Sequence, residues 1–132
     1  MILGVGLDLC QVFRIERSLK RLGDDWIDEV FTADERKLCE RGIDPTLMFA
    51  RGFCGKEACF KALGTGRNAD IGWHDIEVLQ SGASASLLLS GGALQELQGL
   101  TPASYEPVLH VACFGGAGIA QAIVTISAIP HR

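Results

Sequence analysis

Between Asn68 and His131 the chain has no lysine and no arginine. Of its 12 basic side chains, 11 lie in residues 1–67 and the last is Arg132. An anionic partner must therefore be met mainly by the first half of the chain. The totals, 12 Lys plus Arg against 16 Asp plus Glu, lack the basic excess of a general nucleic-acid binder, so no nucleic-acid partner is expected. Pairing motifs for cysteine are also missing. The 5 cysteines form no C-x-x-C pair and no ordered Cys/His spacing, which makes a poor disulfide framework and a poor zinc site. The start shows no charged leader, long apolar stretch and small-residue cleavage site, so no signal peptide is expected and a reducing cytoplasm fits. The apolar segment 111–129 is broken by Gly115, Gly116, Gly118, Gln121, Thr125 and Ser127 and has no basic flank. It reads as buried strands rather than a membrane span.

What is present is globular. With 132 residues, 48% hydrophobic and 21% charged, the composition fits one domain over 1–132 with enough buried surface to fold unaided. Ile2–Leu9 alternates and is rich in branched residues, a strand that places Gly6 and Asp8 on one face and Val5 and Leu7 on the other. Residues 11–22 carry a helical apolar stripe of Val12, Ile15 and Leu19, with Arg14, Arg17, Lys20 and Arg21 gathered elsewhere. A loop containing Gly23, Asp24 and Asp25 follows. Thr32 with Glu35 three residues on forms a capping box for a helix to Arg41. A proline-initiated helix over Thr46–Leu63 ends at Gly64-Thr65-Gly66. The rest reads as strands at 71–79, 85–89, 108–113 and 119–126, with a short helix over 92–98. The fold class is α+β, antiparallel strands packed on a long helix.

Three groups can carry chemistry. Asp8 is a carboxylate in an otherwise apolar strand, costly to bury unless paired, hydrogen-bonded or bound to a cation; read alone, it better fits an aspartate capping the next helix. Glu57 and Lys61 share a helix face at four-residue spacing, with Lys56 adjacent. On a helix otherwise built of Phe49, Ala50, Phe53, Cys54, Ala58, Cys59 and Ala62, this stripe is either an exposed ion pair or a site. Two carboxylates with lysines suit phosphate chemistry with a divalent ion, since hard oxygens hold Mg²⁺ and ammonium groups neutralise phosphoryl oxygens. Gly64-Thr65-Gly66-Arg67 either cradles a phosphate with its backbone or caps the helix.

Taken together, these segments resemble the holo-[acyl-carrier-protein] synthase family, the small 4′-phosphopantetheinyl transferases. The matching stretches are Gly4-Val5-Gly6-Leu7-Asp8-Leu9 with Arg14-Ile15, Phe31-Thr32-Ala33-Asp34-Glu35-Arg36, Lys56-Glu57-Ala58, Lys61-Ala62-Leu63-Gly64-Thr65-Gly66 and Trp73-His74-Asp75-Ile76-Glu77-Val78. Their order and spacing fit nearly the whole chain. The resemblance implies the phosphopantetheinyl transferase fold and a homotrimer with active sites between subunits. It implies transfer of the 4′-phosphopantetheine arm from coenzyme A to a serine of an acyl or peptidyl carrier protein, as in fatty-acid or polyketide synthesis. Asp8 and Glu57 match the carboxylates that hold Mg²⁺ with the pyrophosphate, and Lys61 matches the lysine near the phosphates. Gly64, Thr65 and Gly66 match the coenzyme-side loop. Arg14 matches the arginine that grips the acidic carrier, and Arg17, Lys20 and Arg21 extend that patch by helical spacing. The resemblance also implies that Glu57 can take the serine proton, directly or through a metal-bound water.

Two positions depart from the family pattern. An arginine is expected five residues before the metal glutamate, where this chain has Gly52, with Arg51 one step earlier. The closing H-V-S-x-S/T-H becomes His110-Val111-Ala112-Cys113-Phe114-Gly115, without the hydroxyls and the second histidine that lies near the coenzyme's 3′-phosphate. Either Arg51 or the Gly115–Gly118 backbone replaces those contacts, or the chain is a divergent relative that binds a carrier protein with a different donor, other chemistry or none.

Overall fold

The computed structural model describes residues 1–66 and 70–132. Strand β1 (Ile2–Gln11) leads into helices α1 (Val12–Leu22), α2 (Asp24–Val30), α3 (Ala33–Glu40) and α4 (Pro45–Leu63). A 3₁₀ turn at Trp73–Asp75 precedes β2 (Ile76–Ser81), β3 (Ser84–Leu89), α5 (Gly91–Leu100), β4 (Tyr105–Gly116) and β5 (Ile119–Pro130). The strands form two antiparallel sheets, one in the order β1-β5-β4 and the other the β2–β3 hairpin. This is the expected α+β class, with an antiparallel sheet packed on a long helix.

Helix α4 is the axis of the molecule. Pro45 occupies its first turn, the Asp44 side chain caps Leu47 N–H, and Gly64 closes it in the left-handed conformation at φ 80°. Its inner face is small: Ala50, Cys54, Ala58 and Cys59 are completely buried. That small face lets the sheet approach closely. A Cβ built on Gly6 would stand 1.9 Å from the Ala58 carbonyl oxygen, and one on Gly4 2.1 Å from that of Ala62. Both glycines are thus needed because backbone lies on backbone.

The second sheet is fastened by a buried ion pair. Lys56 Nζ lies 2.7 Å from Glu35 Oε1, and neither side chain is more than 1% exposed. Lys56 also donates to the carbonyls of Trp73 and Ile76, while Glu35 accepts from Thr32 N–H and Val78 N–H at 2.9 Å. Burial pushes the Glu35 carboxyl up and the Lys56 ammonium down, each opposed by its partner. The Thr32/Glu35 capping box forms as expected.

Two stretches differ from the sequence reading. The segment read as a loop after Gly23 folds as α2, with Asp24 and Asp25 in its first turn and Ile27 and Val30 buried. Seven residues are too few for a periodic signal, and the acidic first turn and tertiary burial supply what propensity does not. The strand read from residue 71 begins only at Ile76, because Asp75 Oδ2 accepts from Gly72 N–H and closes the 3₁₀ turn.

Candidate active site

Because Gly4 and Gly6 set β1 on α4, Asp8, on the same face of the strand, comes up beside the stretch of the helix that carries Phe53, Glu57 and Lys61. Lys61 Nζ donates to Asp8 Oδ1 at 3.0 Å and to the Leu7 carbonyl at 2.9 Å. The Asp8 side chain is 16% exposed and that of Lys61 53%. Asp8 does not cap α1: the N-cap is Gln11, without a side-chain bond. Its carboxylate is instead partnered by a lysine that stays open to solvent.

Asp8 and Glu57 line one groove of about 360 Å³ with Leu9, Cys10, Arg14, Ile15, Ser18, Trp26 and Phe53. Glu57 is half-buried, and its Oε1 is shut off from solvent. Trp26 and Phe53 have ring centroids 6.1 Å apart, giving the groove an aromatic wall beside its two carboxylates. Cys10 and Cys54 meet at the same place, with the Cys54 thiol donating to Cys10 Sγ at 3.1 Å. That bond holds the Cys10 thiol below its ordinary range, against burial that pushes it up.

A second hollow of about 360 Å³ is lined by Arg14, Arg17, Ser18, Arg21 and Leu22. It shares Arg14 and Ser18 with the first, so the basic face of α1 runs into the carboxylate groove. Lys20 is turned away onto Glu16, 2.7 Å from Oε1.

Other expected residues stand elsewhere. Lys56 is spent on Glu35 and cannot reach a phosphate. Gly64, Thr65 and Gly66 form the C-cap of α4, with Thr65 Oγ1 donating to the Gly66 carbonyl at 3.0 Å. None of the three lines the carboxylate groove; Arg67 lies outside the described residues. Arg51 lines a separate hollow with Arg41, Ile43, Leu47 and Met48 and donates to the Cys113 carbonyl at 3.1 Å. Of the two departures, Gly115 faces Leu47 of that hollow, while Gly52 follows Arg51 in the chain but faces the core. At Gly52, the nearest neighbours of a built Cβ are Gln80 Nε2 at 3.1 Å and Phe31 at 3.3 Å, and at Gly115 Leu47 Cδ1 at 2.7 Å. Trp26 and Phe53 were not foreseen as site residues. Phe53 lies four residues before Glu57 and so shares its face, a signal that was legible; Trp26 depends on α2 and had none.

No group of three or more His, Cys, Asp or Glu side chains gathers to hold a metal among the described residues. A divalent ion in this groove would draw on Asp8 and Glu57 and complete its shell from phosphate and water. That is how Mg²⁺ is commonly held beside phosphates, so the donor set fits it.

Comparison with known proteins decides the family. The model of the 4′-phosphopantetheinyl transferase superfamily matches residues 4–109. The chain belongs to that superfamily. It is accordingly a transferase, and the superfamily's curated members include near full-length relatives. A holo-[acyl-carrier-protein] synthase of Methylorubrum populi is 44% identical over 131 residues, covering 98% of this chain and 96% of the relative. The superfamily fold is seen in the holo-[acyl-carrier-protein] synthase of Neisseria meningitidis, with a TM-score of 0.81 at 21% identity over 96% of this chain and 99% of that one. The Helicobacter pylori enzyme, solved in complex with coenzyme A, has a TM-score of 0.77 at 26% identity, covering 93% of this chain and 99% of that one. Among the described residues of this transferase no helix is long and apolar enough to cross a membrane.

Proposed function

We propose that this transferase is a Mg²⁺-dependent holo-[acyl-carrier-protein] synthase, moving the 4′-phosphopantetheine arm of coenzyme A onto a serine of an acyl carrier protein. The observation that carries the reading is the groove in which Asp8 from β1 and Glu57 from α4 stand beside Lys61 and open onto a basic helix. The named relatives and the coenzyme A complex of a neighbour support it, and they do not favour a divergent relative with other chemistry.

The chemistry is displacement at phosphorus. The carrier serine hydroxyl attacks the β-phosphorus, the bond to the bridging oxygen breaks, and 3′,5′-ADP leaves. Asp8 and Glu57 are the residues that would hold Mg²⁺, which supplies charge neutralisation at the pyrophosphate. Lys61 offers an ammonium at the same place, held by Asp8 and the Leu7 carbonyl. Glu57 takes the serine proton, directly or through a water molecule. Arg14, Arg17 and Arg21 meet the acidic carrier, whose serine is thereby delivered along the shared wall.

The active form is a homotrimer. The outer face of the larger sheet carries Val5, Leu7 and Leu9 at 51%, 63% and 62% exposure, with Phe114 at 49%. An apolar sheet face of this kind marks an association surface. Assembly on it brings the coenzyme's outer parts to a neighbouring subunit, where Arg51, fixed on the Cys113 carbonyl two residues before Gly115, serves the 3′-phosphate. Gly64, Thr65 and Gly66 contribute from the end of α4 at the coenzyme side.

Comparison of coenzyme A with dephospho-coenzyme A as donors tests this site. Strong preference for coenzyme A, lost in Arg51→Ala, is expected; equal use of both by the unaltered enzyme would remove Arg51 from it. Asp8→Ala and Glu57→Ala should each abolish transfer, and an active double variant would refute the metal assignment.

A further inference from the structure

Five thiols are present, and among the described residues one pair is in contact at the groove. Cys54 Sγ donates to Cys10 Sγ at 3.1 Å, while Cys39, Cys59 and Cys113 lie buried in the core. Cys10 is half-buried and lines the groove with Asp8 and Glu57; Cys54 is completely buried directly behind it. A reagent entering the groove meets Cys10 first, with Cys54 already aimed at its sulfur. The positions along the chain matter equally. Cys10 follows Asp8 by two residues on the same face of β1, and Cys54 precedes Glu57 by three on α4.

We propose that Cys10 and Cys54 are an oxidisable dithiol at the floor of the groove, converted by peroxides to a disulfide that slows transfer. This rests on the transferase reading of the same groove for its effect, though not for its chemistry. Cys10 sulfur attacks one peroxide oxygen and the O–O bond breaks. With hydrogen peroxide, water leaves and a sulfenic acid stays on Cys10. Cys54 sulfur then attacks Cys10 sulfur, the S–O bond breaks, and a second water carries away the Cys54 proton and the departing hydroxyl. Two thiols have been oxidised and one peroxide reduced. A dithiol resets the pair by exchange.

The consequence follows from the distance. A disulfide bond is about 2.05 Å long, so the sulfurs must close by roughly 1 Å. The two side chains, and with them β1 and α4, take up that movement beside the residues that carry the two carboxylates. Misplacement on this scale costs a transferase about tenfold to a hundredfold in rate.

The test treats the full protein with hydrogen peroxide, blocks remaining thiols, and maps disulfides by peptide mass spectrometry while transfer is followed in parallel. A Cys10–Cys54 linkage is expected, with a roughly tenfold or greater loss of transfer that dithiothreitol restores. Cys54→Ala should keep its transfer rate through the same treatment. Both cysteines unlinked after peroxide, a linkage with an unchanged rate, or an equal loss in Cys54→Ala would each overturn the proposal. The mapping reads the linkage whether or not the untreated protein transfers, so failure of the transferase reading is seen separately.

Discussion

Replacing Gly6 by alanine adds one carbon where the fold has no room for it. The new Cβ would stand 1.9 Å from the Ala58 carbonyl oxygen, 2.7 Å from Ala62 N and 2.9 Å from Ala58 carbon. All three are backbone atoms of α4, so no side chain can rotate away. Side-chain carbons essentially never approach closer than 3.0 Å, so β1 and α4 must part by about 1 Å. Overpacking of this kind costs about 1–3 kcal/mol, or several degrees in Tm for a domain of this size. The larger effect is on the site. Asp8 is two residues away on the same strand, and its carboxylate must stay beside Lys61 and share a groove with Glu57. A displacement near 1 Å should cut transfer by about a hundredfold even where the variant remains folded. Thermal melting and transfer of the arm to an apo carrier protein, measured together, separate the two effects. Gly99→Ala, on α5 with nothing within 4 Å of its Cβ, is the matched control. A Gly6→Ala enzyme with normal Tm and normal transfer would refute the claim that backbone contact between β1 and α4 positions the site.

The other predictions concern charge and partners. Lys56→Met should destabilise the fold by about 3–5 kcal/mol, because it leaves Glu35 buried without a cation. Burial raises the Glu35 carboxyl in the folded chain. Folding of that variant is therefore favoured below the ordinary carboxylate range and weakens as pH rises through the folded value, which urea melts at successive pH values would show. A variant carrying Arg14→Glu and Arg21→Glu should raise KM for the carrier about tenfold or more, with little change in KM for coenzyme A. Added salt should weaken carrier recognition by the unaltered enzyme in the same sense, which steady-state kinetics at two ionic strengths would check. Leu7→Glu on the exposed sheet face should convert a trimer to monomers in light scattering, and a trimer that persists would place the interface elsewhere.

The residues that make the site were largely legible because each had a local reason to stand out. Asp8 interrupts an apolar strand, and Glu57 with Lys61 interrupts an apolar helix at the spacing of one face. The capping box and Pro45 marked helix starts for the same kind of local reason. Contacts that join distant segments were not legible. Lys56 read like its neighbour Glu57, yet one residue along a helix turns a side chain by about 100 degrees, here into the core onto Glu35. Gly4 and Gly6 read as part of a motif, and only the approach of α4 shows why a Cβ is excluded there. Trp26 could not be foreseen in the groove, since α2 is too short to announce itself and is held by burial of Ile27 and Val30.

The central claim is that the groove between β1 and α4 transfers phosphopantetheine. Intact mass spectrometry of an apo acyl carrier protein, incubated with this enzyme, coenzyme A and Mg²⁺, tests it most directly. The carrier should become heavier by one phosphopantetheine arm, on its serine, only when enzyme, donor and ion are all present. An unchanged carrier mass with several different apo carrier proteins would contradict it.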